Sequence, residues 1–164
     1  MHMRRRCPDR AKLTLASAAL IAAMLSPIGP ALPEDAQTSI DESRKMIDAK
    51  VAAYLQKHPV RSSLLYESVS LLSGTLGETY GMAIHECEDE PVLPDWQEQL
   101  PGLHENTVVA LGASLSAGFK RYLAATPAGQ PIVGGSLCAQ LMGHYAALER
   151  AIKAAGPALR KQGY

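Results

Sequence analysis

Aromatic side chains and cysteine are both scarce here: one Trp, one Phe and three Cys in 164 residues. Three cysteines are too few for a disulfide-dense scaffold. No Cys-x-x-Cys-His run is present, which excludes covalent c-type haem. No apolar stretch reaches the roughly 20 residues that a membrane-spanning helix needs. There is no internal repeat and no low-complexity tract, so a solenoid is excluded. The Gly-x-Ser-x-Gly of a nucleophile turn is missing as well. Its nearest approach, Gly112-Ala113-Ser114-Leu115-Ser116-Ala117-Gly118, has the wrong spacing and sits inside a helical pattern instead of after a strand.

What is present begins with an address. Arg4, Arg5, Arg6, Arg10 and Lys12 precede an apolar run from Leu13 to Leu25. Ser26, Pro27, Gly29 and Pro30 break that run, and Ala31 is small enough to precede a cut. This layout predicts a secretory signal peptide over residues 1–31 and delivery to the periplasm or the extracellular space. No stable membrane insertion is expected after cleavage. Cutting after Ala31 removes five bases and one acid, leaving 11 Lys plus Arg against 15 Asp plus Glu, a net charge of −4. Nucleic acid calls for a basic face, so it is not an expected partner.

The cut also takes Cys7. Cys87 and Cys138 remain, an even pair bound for an oxidising compartment, and an intramolecular disulfide between them is expected. Two buried free thiols, an intermolecular bridge and metal ligation are the alternatives.

The mature segment, 32–164, reads as a single all-α domain, a four-helix bundle, with helices over about 39–57, 61–87, 104–125 and 136–155. Leu32 to Thr38 reads as a flexible leader. Ser39-Ile40-Asp41-Glu42 has the form of a capping box. The helix behind it offers Ile40, Ile47, Val51, Tyr54 and Leu55 for burial and is expected to pack antiparallel to the second helix. In that second helix Leu65, Val69, Leu72, Leu76, Tyr80, Ala83 and Cys87 share one narrow sector. Gly74, Gly77 and Gly81 fall roughly opposite. Each glycine costs about 1 kcal/mol against alanine inside a helix. Their presence implies a close-packed backbone, a kink, or a ligand on bare backbone. Val108, Leu111, Leu115, Phe119 and Tyr122 make the stripe of the third helix. Cys138, Leu141, Tyr145, Leu148 and Ile152 make that of the fourth, with Ser136 as its cap. Gly156-Pro157 reads as a stop, and Ala158 to Tyr164 as a loose tail.

One topological consequence is sharp. Cys87 ends the second helix and Cys138 begins the fourth. In an up-down-up-down bundle those points lie at opposite ends, yet a disulfide needs Cα atoms within about 7 Å. Residues 88–103, sixteen of them, span about 50 Å when extended. The second helix is about 40 Å long. A long crossover between helices 2 and 3 therefore fits, making those helices parallel. A bend at the glycines is the other way out.

Three functions compete. Met82, His85, Met142 and His144, with the two cysteines, form a soft donor set suited to copper. However, His85 with Cys87 and Met142 with His144 diverge at a spacing of two. This extracytoplasmic copper- or haem-binding reading is the alternative. Catalysis finds no assignable mechanism: His104 beside Glu105 lacks a partner, and the acids at 86–90 are consecutive, unlike a pair held across a cleft. The leading expectation is therefore protein binding by an inhibitor, immunity or accessory protein, without catalytic residues or a cofactor. Its surfaces would be the acidic patch Glu86, Glu88, Asp89 and Glu90, the loop carrying Trp96, and the glycine face. Trp96 has a bland reading too, as a cover for the end of the bundle. The partner's identity and a homodimer stay open.

Overall fold

A computed structural model describes residues 34–87, 91–126 and 137–164. Five elements, all helices, occur among the described residues: α1 Glu34–Lys57, α2 Leu64–Glu86, α3 Trp96–Gln99, α4 Glu105–Ala125 and α5 Cys138–Lys161. No strand occurs among the described residues. The fold is all-α and bundle-like. The chain divides into two units, the first ending at Asp48 and the second running Ala49–Tyr164. The expected signal peptide, residues 1–31, lies outside the described residues.

In the first unit, the described residues 34–48 are helical throughout. The expected capping box is therefore inside a helix, not at its start. Ser43 Oγ donates back to the Ser39 carbonyl (2.8 Å), and Arg44 pairs with Asp41 across one turn (3.4 Å). Glu34-Asp35-Ala36-Gln37 opens α1, so the helix begins before the expected box.

The second unit is organised by α2. Its N-cap is Ser63, whose hydroxyl accepts from the Tyr66 amide, and Glu67 stands in the first turn. Its C-cap is Cys87, in extended conformation. The glycine face packs against α4. A Cβ on Gly77 would collide with the Leu115 carbonyl, and one on Gly118 with the Gly74 carbonyl. Gly74 and Gly77 are thus kept for backbone approach and Gly81 for the Tyr122 ring, inside an unbroken helix. Ser73 Oγ donates to the Leu111 carbonyl (2.8 Å), and Ser70 meets Ser114 hydroxyl to hydroxyl (2.7 Å).

The pairs run in one sense. Ser70 faces Ser114, Gly77 faces Leu115 and Phe119, and Gly81 and His85 face Tyr122. Hence α2 and α4 are parallel. Residues between them form the long crossover, in which Pro91, Pro94, Trp96 and Leu100 are buried. It runs back along α5. Val92 accepts from Tyr145 Oη (2.8 Å), Leu100 meets Gly156, and Pro101 accepts from Arg160 (2.8 Å). In turn α5 is antiparallel to α2, with Cys138 at Cys87, Tyr145 at Tyr80 and Tyr164 at Tyr66. Val69, Leu76, Leu111, Leu115, Ile152 and Leu159 form the centre of the core, each no more than 3% exposed.

Three expectations are corrected. The stripe of α1 is not core: Ile47, Val51, Tyr54 and Leu55 are half-exposed. The core of the second unit is built by α2, α4, α5 and the crossover without that stripe, so the expected antiparallel seam is not part of it. Gly156-Pro157 does not stop the last helix, which carries Pro157 in its interior. An internal proline costs about 3 kcal/mol, but the turn beyond it is anchored by Leu159, fully buried, and by Arg160 on the Pro101 carbonyl.

Nor is the tail loose. Gly163 at φ +81° closes α5, with its N–H on the Arg160 carbonyl and the Tyr164 N–H on that of Leu159, a Schellman arrangement. Tyr164 is 4% exposed and stacks on Tyr66 with centroids 5.4 Å apart.

Candidate interaction surface

Cys87 and Cys138 are bonded to each other, with Cα atoms 5.1 Å apart. Both sulfurs are thus withdrawn from the soft donor set considered for copper. The remaining members do not converge either. Met82 lies on the outer face of α2 and is 39% exposed. His85 leans on Tyr122 of α4, ring centroids 5.5 Å apart. His144 is exposed and Met142 half-exposed on α5. Among the described residues no three His, Cys, Asp or Glu side chains are grouped to hold a metal ion.

Helix α2 ends at Glu86, the first acid of the run 86–90, with Cys87 as its C-cap. Glu86 is the last helical residue and is half-buried, one of its carboxylate oxygens lacking a hydrogen-bond partner among the described residues. Glu88, Asp89 and Glu90 lie outside the described residues.

Trp96 corrects the expectation of an exposed anchor. It is 3% exposed, at the first turn of α3, where Asp95 caps the helix by accepting from Gln97 and Glu98. Trp96 is thus a buried residue of the crossover and not a free surface aromatic. The glycine face is largely consumed, since Gly77 is closed by the Leu115 carbonyl and Gly81 by the Tyr122 ring, while Gly74 borders the groove beside Arg121. Ser114 of the superficial nucleophile motif is a packing residue whose hydroxyl donates to the Ala110 carbonyl and meets Ser70.

Two surface features are left. One is a polar cleft of about 410 Å³ where the segment before α2 meets the start of α4, lined by His58, Arg61, His104, Glu105 and Tyr164 among others. His104 is the N-cap of α4 but makes no side-chain capping bond. No serine or cysteine lines the cleft. Arg61 is committed: its guanidinium donates to the Gln162 carbonyl (2.8 Å) and lies 5.6 Å from the Tyr164 ring centroid, while its own carbonyl accepts from Tyr164 Oη (2.9 Å). The cleft is thus a clamped junction.

The second feature was missed in the sequence. With one side of α2 against α4 and another against α5, a third side remains, and it exposes Leu64, Leu71 and Met82. Leu64 is 82% exposed and Leu71 70%. Together with Ser68, Thr75, Glu78 and Met82 they recur at alternating spacings of four and three. Ser68 and Thr75 turn their hydroxyls inward onto the carbonyls of Leu64 (2.7 Å) and Leu71 (3.1 Å), so the stripe offers methylene and methyl groups to solvent. A groove of about 360 Å³ runs beside it between α2 and α4, lined by Tyr66, Glu67, Leu71, Gly74, Ala117 and Arg121 among others. The signal was available: Leu64 and Leu71 stand seven apart and outside the stripe assigned to the core. The chain matches no family model, no curated protein and no solved structure.

Proposed function

We propose that this chain is an exported helical protein that works by binding another protein, in the manner of an inhibitor, immunity or accessory protein. The leader-like composition of residues 1–31 supports export. The observation that carries the binding reading is the outer face of α2. Isolated exposed leucines are ordinary, but an aligned apolar stripe beside a groove marks an interaction surface. That stripe sits on the best-anchored helix of the unit, which is held by glycine-face packing, by α5 and by the Cys87–Cys138 bond. A rigid presenting helix loses little entropy on association.

The test is recovery of cross-linked partners from the exported fraction with wild type and with a Leu64→Glu, Leu71→Glu variant. Both positions are surface positions, so the variant keeps its helical spectrum and thermal midpoint. A partner captured by wild type and lost by the variant supports the reading. Equal recovery removes this face from it. Glu88→Lys, in the acidic run 86–90, probes the other expected surface in the same experiment.

A further inference from the structure

We infer that the outer face of α2 takes a second copy of this chain, in an antiparallel two-fold seam. This rests on the binding reading above and names its partner.

The spacing of the stripe is that of a helix–helix seam: 64, 68, 71, 75, 78 and 82 alternate steps of four and three, as inward positions of a coiled coil do. A two-fold axis at the level of Ser73 makes the seam complementary to itself. Leu64 of one copy then meets Met82 of the other, small Ser68 meets Glu78, and Leu71 meets Thr75. The two most exposed leucines are covered, one by a long apolar side chain and the other beside the dyad. Gly74 adds depth there, because the groove wall next to Leu71 lacks a side chain.

Charge selects the same arrangement. Glu67 is exposed on the α4 side of the stripe, at the end of the groove towards the start of α2. Arg121 of α4 stands further along the groove, beside Gly74 and paired with Glu78 (2.7 Å), with its side chain 58% exposed. The antiparallel dyad carries Glu67 of each copy between Gly74 and Gly81 of the other, next to that guanidinium. Two equivalent Glu67–Arg121 pairs result. A parallel pairing turns Glu67 of each copy towards the Leu72 side of the other, away from α4, and leaves both arginines without a new partner, so the charges give it no support. An isologous interface with its axis across one helix is the common form of a closed dimer.

The experiment is sedimentation velocity on the purified, oxidised chain, with cross-linking in register. At about 100 µM, above a Kd of about 10 µM, wild type runs as a dimer that dissociates on dilution. Leu71→Glu runs as a monomer with an unchanged helical spectrum. Glu67→Lys weakens the dimer about tenfold, because the axis repeats each pair. A mixture of Leu71→Cys and Thr75→Cys chains oxidises to the mixed dimer. Monomeric wild type at that concentration overturns the proposal, as do Cys-linked homodimers of each variant in preference to the mixed species. If wild type is monomeric while Leu71→Glu loses a different captured protein, the second copy is the wrong partner and the binding reading stands. If neither self-association nor capture responds to Leu71, the binding reading of this face fails as well.

Discussion

Gly118 of α4 rests directly on the peptide of Gly74 in α2, so closely that a Cβ at 118 would overlap the Gly74 carbonyl oxygen. Gly77 stands in the same relation to the Leu115 carbonyl. These two contacts bring two parallel helices together where side chains ordinarily separate them. Ser70, Ser73 and Ser114 then reach across the narrowed gap.

Alanine at either of these glycines is therefore destabilising. The added methyl meets backbone, which cannot rotate away, and overpacking of a tight core typically costs about 1–3 kcal/mol or more. Gly143 is the control: it lies in α5 with nothing within 4 Å of an added Cβ, so Gly143→Ala should gain about 1 kcal/mol from helix propensity alone. Urea midpoints of the three variants check this. Gly77→Ala and Gly118→Ala fall below wild type, and Gly143→Ala rises above it.

The disulfide closes a separation of 51 residues, for which chain-entropy arguments give about 4 kcal/mol. Its local effect is distinct. No residue of α5 before Tyr145 is buried, and the N-cap Leu137 supplies no capping bond. The first two turns, Cys138–His144, thus lean on Cys87. Cys138→Ser should leave Tyr145–Lys161 protected at low denaturant and deprotect residues 138–144. Amide hydrogen exchange reads this directly. Uniform loss of protection along α5 would mean that the bond acts on the whole unit alone.

Tyr145 is buried with its hydroxyl on the Val92 carbonyl, and burial, helped by the charge of Glu149, pushes its pKa well above the ordinary 10.0. Below pH 10 both folded and unfolded forms keep the proton, and the contribution is intact. Above that, the unfolded chain ionises first and binds fewer protons, so stability falls as pH rises. The thermal midpoint should therefore drop between about pH 10 and 11.5. Tyr145→Phe should begin from a lower midpoint, having lost the hydrogen bond, and decline less steeply.

Much of this architecture is readable from residue order, because α2, α4 and α5 bury stripes at helical period and the cysteine positions forbid a simple up-down path. The crossover length and the disulfide together imply parallel α2 and α4. Other features are not written locally. Pro157 looks like a stop until Leu159 and Arg160 are seen to hold the turn beyond it. The stripe of α1 resembles a core stripe, since periodicity reports amphipathicity but not what covers the face. The outer leucines of α2 were hidden by the opposite difficulty. The wheel sets Leu64 and Leu71 outside the core stripe, but a helix flanked on two sides carries apolar residues on more than one face, and the wheel does not say which face is covered. Trp96 shows the limit of residue type alone, because a tryptophan in a proline-rich loop reads equally as anchor or as core.

The end of α5 gives the last prediction. Tyr164 binds the first turn of α2 and the segment before it in three ways: it stacks on Tyr66, its hydroxyl donates to the Arg61 carbonyl, and Arg61 lies against its ring. That placement depends on Gly163, whose φ of +81° turns the chain back over Leu159. A side chain there is strained by about 1 kcal/mol or more, although nothing stands within 4 Å of it. Gly163→Val should thus act through backbone alone and displace Tyr164. Tyr164→Ala removes the clamp without strain, and loss of so large a buried ring costs about 3–5 kcal/mol. If the clamp is one unit, the double variant is scarcely less stable than Tyr164→Ala. A double-mutant cycle from urea denaturation supplies the number, and full additivity would show that turn and ring act independently.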